Sequence, residues 1–290
     1  MNRIDSKFAE LKAKREAALL CYLPAIGPDF SRSMEIVDAF VQGGMDMLEL
    51  SVPGGTPWLD GPPMQAHHKQ SHESGVDTRK AFELAKMVRR RYPDLPILPM
   101  AYHAGVVRQG IDRFIDLCRE ADVDGVELPD YPTYSAGDPH KFDAKLRAAG
   151  IHNIAFCDGI SLAPEDSPLY QLLHAVIAGA SGFMWLTATP GVTGGQGEVA
   201  VDYLTRAVKR IRAVQFSMGR PTPILVGFGL TTPMHVRQVV HDVRADAIVV
   251  GSAISRLINR GEAALEIRKF VAQLKQATRD TPDERRGVAN

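Results

Sequence analysis

Short apolar segments and amphipathic helical patterns alternate eight times along this chain. Each apolar segment ends at glycine, proline or polar residues, as buried strands do, and a helical pattern follows it. The predicted strands are 19–26, 45–53, 96–102, 125–128, 153–157, 182–187, 223–226 and 247–250. Strands joined by helical crossovers pair in parallel. The alternation therefore predicts an α/β fold with eight parallel strands, closed as a (β/α)8 TIM barrel.

The length of the chain, 290 residues, suits one large barrel or two ordinary domains. A doubly wound open sheet is the alternative fold, but no GxGxxG motif follows the first strand. No low-complexity linker interrupts the interior, so we predict a single TIM-barrel domain over 1–290. An additional amphipathic helix within 1–17 is expected on the bottom of the barrel. The polar tail 279–290 is expected to be disordered.

Charge and cysteine content exclude several classes of protein. Lysine plus arginine and aspartate plus glutamate both number 34, so no net charge favours nucleic acid or an anionic membrane. The three cysteines are scattered, without the spacing of a zinc site or a disulfide framework. The apolar runs are too short to span a membrane, and the charged N-terminus does not resemble a signal peptide. We therefore expect a cytoplasmic protein without a metal.

One acidic residue lies within the second predicted strand, and another lies in the loop that follows it. Glu49 lies between Leu48 and Leu50, and Asp60 follows in a segment rich in glycine and proline. A buried glutamate is unfavourable unless it is paired or functional, and two carboxylates in such positions suit acid–base catalysis. The alternative is structural: Glu49 would pair with a basic group in the core, and Asp60 would cap the next helix.

The carboxyl ends of barrel strands form the active face of TIM-barrel enzymes. Residues at the ends of six predicted strands are therefore candidates for one site. Besides Glu49, the candidates for the substrate pocket are Tyr22, Met100, Tyr102, Glu127, Cys157 and Trp185.

Glycine-rich turns follow the last three predicted strands. Glycines let backbone N–H groups approach an anion, and a helix N-terminus adds partial positive charge. The alternative is that these are ordinary turns that need a positive φ. The pattern predicts a phosphate site after strands seven and eight, with a flexible loop after strand six. Its members are Gly227, Gly229, Gly251 and Ser252, together with Gly194 of the loop, whereas Thr193 of the same loop is a further candidate for the substrate pocket.

These motifs together resemble the tryptophan synthase alpha subunit family, from Phe8 to about Ala277. The matching segments are Leu48-Glu49-Leu50 to Pro53, Asp60-Gly61-Pro62 with Gln65, Gly110-Ile111-Asp112, Pro190-Gly191-Val192-Thr193-Gly194, Gly227-Phe228-Gly229 and Gly251-Ser252-Ala253-Ile254. The resemblance implies a lyase that cleaves indole-3-glycerol phosphate to indole and glyceraldehyde 3-phosphate. It also implies no cofactor of the chain's own and a PLP-dependent β subunit as a partner.

The resemblance also implies roles for individual residues. Glu49 matches the catalytic acid and base, and Asp60 matches the acid that stabilises positive charge on the indole nitrogen. Thr193 matches the threonine of the mobile sixth loop, and Tyr102 is also a family residue. The phosphate positions match Gly194, Gly229 and Ser252, with Gly227 and Gly251 beside them.

The chain departs from the family where substrate and partner would bind. Thr56 replaces an aspartate that communicates with the β subunit, and Thr189 replaces an arginine of the sixth loop, so both weaken the expectation of that partner. Trp185 replaces a tyrosine, and Glu127 replaces an apolar leucine that packs against the indole.

Two explanations of Glu127 remain open. A one-residue shift of register would turn it outward; otherwise the pocket accepts more than plain indole. The alternative functions are accordingly a diverged paralogue with the same chemistry on a more polar phosphorylated substrate, or a non-catalytic regulatory subunit that binds a phosphorylated ligand.

Four histidines lie near the predicted site. His67, His68 and His72 are closely spaced but form no recognised metal motif. We expect them to be solvated residues around the start of a helix. His103, after the third strand, is a better candidate for the site.

Overall fold

The computed structural model of the protein describes residues 1–26, 30–55, 57–131, 141–157, 159–187, 198–227 and 229–279. Its centre is a closed barrel of eight strands, paired in parallel in chain order. The strands are β1 (Ala18–Leu23), β2 (Met47–Ser51), β3 (Ile97–Met100), β4 (Gly125–Glu127), β5 (His152–Phe156), β6 (Met184–Thr187), β7 (Ile224–Gly227) and β8 (Ala247–Val250). The predicted (β/α)8 barrel is confirmed.

Twelve α-helices occur in the described residues and cover the barrel. They are α1 (Arg3–Lys14), α2 (Ser31–Gln42), α3 (Pro62–Glu73), α4 (Thr78–Arg91), α5 (His103–Gln109), α6 (Ile111–Glu120), α7 (Phe142–Ala148), α8 (Pro168–Gly179), α9 (Val201–Ser217), α10 (Pro233–Arg237), α11 (Ser252–Asn259) and α12 (Ala264–Ala277). A π-helical turn, Gln238–Asp242, continues α10.

Helix α1 closes the bottom of the barrel, as its apolar residues predict. Ile4 and Leu11 belong to the same buried cluster as the inward-facing strand residues Met47, Leu98 and Leu225. The cluster inside the barrel is therefore continuous with the apolar face of this helix.

Strand residues alternate between the barrel interior and a second apolar layer under the helices. In β2, Met47 belongs to the interior cluster, whereas Leu48 and Leu50 belong to the layer under the helices. Alternation of this kind is the period of two of a β-strand. It determines which strand residues can reach the active face from inside.

Helix α3 shows why one sequence prediction is wrong. Its buried face consists of Met64, His67, His68 and Ser71, which have the i, i+3, i+4, i+7 spacing of a helical stripe. His67 and His68 are therefore buried rather than solvated, and only His72 is exposed. The stripe escaped detection because mainly polar residues occupy it.

Several smaller expectations concern the chain ends and cysteines. Cys21, Cys118 and Cys157 are buried and none forms a disulfide. In the tail, Arg279 pairs with Glu16 at 3.3 Å, and residues 280–290 lie outside the described part of the chain. Among the described helices, none is long and apolar enough to cross a membrane.

Candidate active site

Two cavities meet at the carboxyl ends of the barrel strands. One is bordered by Gly229, Leu230, Val249, Gly251 and Ser252. The other is bordered by Leu59, Asp60, Met100, Tyr102, Glu127, Pro129 and Phe156. Glu49, Met64 and Trp185 border both. We call them the glycine-side cavity and the ring-side cavity.

Glu49 occupies the junction of these cavities. Because Leu48 and Leu50 pack under the helices, the side chain between them points into the barrel. Burial raises the pKa of Glu49 well above its ordinary value, and the charges of Glu127 and Asp60 raise it further. No lysine or arginine is among the described residues bordering either cavity, so Glu49 has no basic partner there. The structural alternative for Glu49 is not supported.

Asp60 lies just before α3, and its carboxylate does not cap that helix. The N-cap is Gly61, which provides no side-chain hydrogen bond. Oδ2 of Asp60 lies 3.3 Å from Nε2 of His68, although the angles are too poor for a standard hydrogen bond. Burial and the neighbouring Asp60 both raise the pKa of Tyr102. Asp60 is thus a buried acid on the border of the ring-side cavity.

Glu127 also faces the barrel interior. Val126 and Leu128 on either side of it belong to the layer under the helices, and Glu127 pairs in register with Met100 of β3 and Ile154 of β5. Burial raises the pKa of Glu127 to about 8, while an interaction with Trp185 lowers it. The outward orientation, left open by the sequence, is excluded by this register.

Trp185 forms part of the wall between the two cavities. Its ring stacks on Phe156, with ring centroids 5.3 Å apart. A Cβ atom added to Gly227 would lie 2.2 Å from the ring carbon Cη2 of Trp185. Gly227 therefore makes room for the tryptophan, and it is absent from the described border of the glycine-side cavity.

The glycine-side cavity has features that suit a phosphate group. Gly229 has a φ of 80°, and Gly251 is the N-cap of α11, whose first residue is Ser252. The first N–H groups of a helix lack partners within it and carry partial positive charge. An anion in this cavity would therefore be stabilised by backbone donors. The predicted loop residues Thr193 and Gly194 lie outside the described part of the chain.

The remaining candidates divide between the site and its surroundings. Met100 and Tyr102 border the ring-side cavity, and Tyr22 packs with them and Met64 above the barrel interior. The prediction for Cys157 is wrong. Its side chain lies in the layer under the helices, where its thiol donates a hydrogen bond to the carbonyl oxygen of Trp185 at 3.1 Å.

The reason for the error at Cys157 is the alternation of β5. Phe156 occupies the inward position at the end of this strand, so the next side chain turns outward. His103 also lies away from the described borders of both cavities, with its ring 5.0 Å from that of Tyr131.

Some residues of the site were not predicted from the sequence. Met64 borders both cavities, His68 stands behind Asp60, and Leu59, Pro129 and Phe156 complete the ring-side wall. The helical spacing of Met64, His67, His68 and Ser71 was the available signal. In the described residues, no group of three or more histidine, cysteine or acidic side chains could hold a metal ion.

Comparison with known proteins identifies the family. The family profile described as "Tryptophan synthase alpha chain" matches residues 8–284. The chain belongs to the tryptophan synthase alpha chain family. It is accordingly a carbon–carbon lyase of the tryptophan synthase alpha type.

Individual tryptophan synthase alpha chains are similar over nearly their whole length. The protein of Burkholderia thailandensis is 35% identical over 280 residues, which cover 96% of this chain and 97% of the relative. That of Actinobacillus succinogenes is 30% identical over 283 residues, covering 96% and 99% respectively.

Solved structures are similar as well. An Aquifex aeolicus structure described as a structural study superimposes with a TM-score of 0.83 at 26% identity, covering 97% of this chain and 100% of that one. A chain of Mycobacterium tuberculosis tryptophan synthase gives a TM-score of 0.80 at 24% identity, covering 97% and 99%. The latter similarity concerns the fold alone.

Proposed function

We propose that this tryptophan synthase alpha family member cleaves indole-3-glycerol phosphate, with Glu49 as its general acid and base. The observation that carries the proposal is the position of Glu49 at the junction of the two cavities. A substrate with its phosphate in the glycine-side cavity and its ring beside Asp60 would place the bond between ring and glycerol next to Glu49.

The reaction is a retro-aldol cleavage in which one proton enters and one leaves. Protonated Glu49 donates a proton to C3 of the indole ring, and the resulting positive charge on the ring nitrogen is stabilised by the carboxylate of Asp60. Glu49 then accepts the proton of the C1′ hydroxyl. The C3–C1′ bond breaks, its electron pair restores the indole ring, and the C1′ carbon becomes the aldehyde of glyceraldehyde 3-phosphate.

The environment of Glu49 suits both proton transfers. Its raised pKa keeps the carboxyl protonated nearer to neutral pH than that of an ordinary glutamate, so it can act as a donor. Phosphate binding at Gly229, Gly251 and Ser252 would hold the other end of the substrate. Binding energy at this remote group positions the reacting carbon against Glu49.

A PLP-dependent β subunit is the partner proposed with this function. A chain of Mycobacterium tuberculosis tryptophan synthase shares the fold, and the family resemblance implies such an assembly. Thr56 and Thr189, the two departures that weaken this expectation, lie outside the described residues. Co-purification with the β subunit of the chain's own source tests the partnership.

Indole release from indole-3-glycerol phosphate is the direct test of the lyase. We expect the purified chain, alone or with a β subunit, to release indole, and Glu49→Gln to lower kcat by about 10²- to 10⁴-fold. Glu266→Gln, on the exposed part of α12, serves as a matched control with unchanged kcat. Absence of indole under both conditions would contradict the proposal.

Glu127 favours the second candidate, a paralogue that performs the same chemistry on a more polar substrate. A buried carboxyl beside a plain aromatic ring is unfavourable unless it is hydrogen-bonded. The non-catalytic alternative has no comparable support, because both candidate catalytic acids, Glu49 and Asp60, border the ring-side cavity.

A further inference from the structure

The carboxyl of Glu127 is a buried polar group without a hydrogen-bond partner of good geometry. The residue is 0% exposed, and neither Oε1 nor Oε2 is hydrogen-bonded within the described residues. The side chain of Trp185 interacts with this carboxyl and lowers its pKa, but neither carboxyl oxygen accepts a hydrogen bond of standard geometry within the described residues. Native proteins rarely leave such groups unmatched, and a ligand is one way to match them.

Acidic, aromatic and apolar side chains surround this carboxyl. On the described border of the ring-side cavity, the polar side chains besides Glu127 are Glu49, Asp60, Tyr102 and Trp185, and the others are apolar. No lysine or arginine is among the described residues on its border. The carboxyl of Glu127 therefore borders the space that the proposed function gives to the aromatic ring, with no cation among the described residues beside it.

The position of Glu127 separates it from the phosphate end of the substrate. Glu49 borders both cavities, whereas Asp60 and Glu127 border only the ring-side cavity. Two acids thus face the ring. Plain indole carries a single N–H group, which can donate a hydrogen bond to Asp60 or to Glu127 but leaves the other without a hydrogen bond from the ring. A second polar group on the ring would remove this mismatch.

The chemistry of the carboxyl indicates what that group would be. Burial raises the pKa of Glu127 to about 8, so near neutral pH the carboxyl is mostly protonated, with one donor and one free acceptor. A hydroxyl group both donates and accepts, and an amino group donates. The C–H groups of an unsubstituted six-membered ring do neither.

We propose, resting on the lyase function above, that the preferred substrate is an indole glycerol phosphate with a hydroxyl or amino group on its six-membered ring. Glu127 is the residue that selects this substrate. Sites built to hydrogen-bond a substrate hydroxyl discriminate strongly against the analogue that lacks it.

The test compares indole-3-glycerol phosphate with its four ring-hydroxylated and four ring-amino derivatives, each with one substituent on the six-membered ring. We expect at least one derivative to exceed the parent in kcat/KM by about tenfold or more in the wild-type protein. Glu127→Leu should bring this ratio to about one or below. Glu127→Gln, which keeps a donor and an acceptor, should retain most of the preference.

Two results would overturn the inference. One is a wild-type preference for the parent over all eight derivatives. The other is a preference for a derivative that Glu127→Leu leaves unchanged. If the leucine variant does not fold, Glu127→Met provides an apolar side chain of similar length for the same comparison.

Binding measurements separate failure of this inference from failure of the lyase function. If none of the nine compounds is cleaved, the lyase proposal fails. Calorimetry with non-cleavable indolyl-propanol phosphates, plain and ring-substituted, then tests Glu127 alone. Tighter wild-type binding of a substituted analogue, lost in Glu127→Leu, supports the inference. Equal affinities for plain and substituted analogues overturn it.

Discussion

The Nε2 atom of His68 lies 3.3 Å from Oδ2 of Asp60, and both side chains are buried. The ring of His68 also meets that of Tyr102 edge-on, with centroids 6.2 Å apart. Helix α3 thus places a histidine behind the acid proposed to stabilise the indole nitrogen. From this contact we expect His68 to hold Asp60 in position.

Removal of His68 should lower the rate of the chemical step. We expect His68→Ala to reduce kcat by about 10- to 100-fold with a smaller change in KM, because a displaced Asp60 affects the transition state more than substrate binding. Steady-state kinetics of indole release measure both. His72→Ala, an exposed position on the same helix, should match the wild type; equal losses in the two variants would refute a specific role for His68.

The electrostatic interaction between Glu49 and Glu127 should affect the pH dependence of activity. The charge of Glu127 raises the pKa of Glu49, so Glu127→Gln should lower it. Because protonated Glu49 starts the reaction, activity falls as pH rises through this pKa. The alkaline fall in kcat/KM should therefore occur at lower pH in Glu127→Gln. An unchanged alkaline limb would show that the two acids do not interact.

Folding stability should respond to the same carboxyl. The pKa of Glu127 is raised from 4.5 to about 8 in the folded protein, so between these values the folded state binds more protons than the unfolded state. Stability contributed by this group is therefore present at low pH and lost as pH rises through that window. Glu127→Gln has no carboxyl at this position, so its stability does not fall in this way. Measured by urea unfolding, the unfolding free energy of Glu127→Gln relative to that of the wild type should rise by up to a few kcal/mol between about pH 5 and about pH 8.

Two glycines of the active face should differ in their tolerance of alanine. The Cβ of Gly227→Ala would lie 2.2 Å from the Trp185 ring, whereas that of Gly251→Ala would lie 3.5 Å from Sδ of Met64. We expect the first substitution to cost about 1–3 kcal/mol of unfolding free energy by overpacking. The second should cost less than about 1 kcal/mol. Denaturant unfolding of both variants checks the difference, and equal costs would contradict the role of Gly227 in seating Trp185.

A buried ion-pair cluster joins the last helix to the barrel. Nζ of Lys275 lies 2.8 Å from Asp46 and 2.9 Å from Glu16, and Asp46 also accepts a hydrogen bond from the Leu19 N–H. Lys275→Met should cost about 3–5 kcal/mol of unfolding free energy, because it leaves a buried carboxylate without its cation.

Lys269→Met provides the matched control on the same helix. Lys269 pairs with Glu266 at 2.8 Å, but both side chains are more than half exposed. Its loss should change stability by less than about 1 kcal/mol. Thermal or denaturant unfolding of the two variants should therefore differ clearly; similar stabilities would mean that the cluster around Lys275 is not important for folding.

The sequence by itself determined the barrel and the acids at its mouth. Eight apolar segments alternating with helical patterns admit few architectures, since each strand must be buried and each crossover must return to the same edge. Glu49 and Asp60 were identifiable because charged residues at such positions are costly unless they function.

Only the tertiary structure decided which way several side chains point. Successive side chains of a strand point to opposite faces, but the register with adjacent strands decides which of them face the barrel interior. Glu127 therefore borders the ring-side cavity, whereas the side chain of Cys157 lies in the layer under the helices. Helix α3 likewise buries His67 and His68 because tertiary packing, rather than an apolar stripe, selects its inner face.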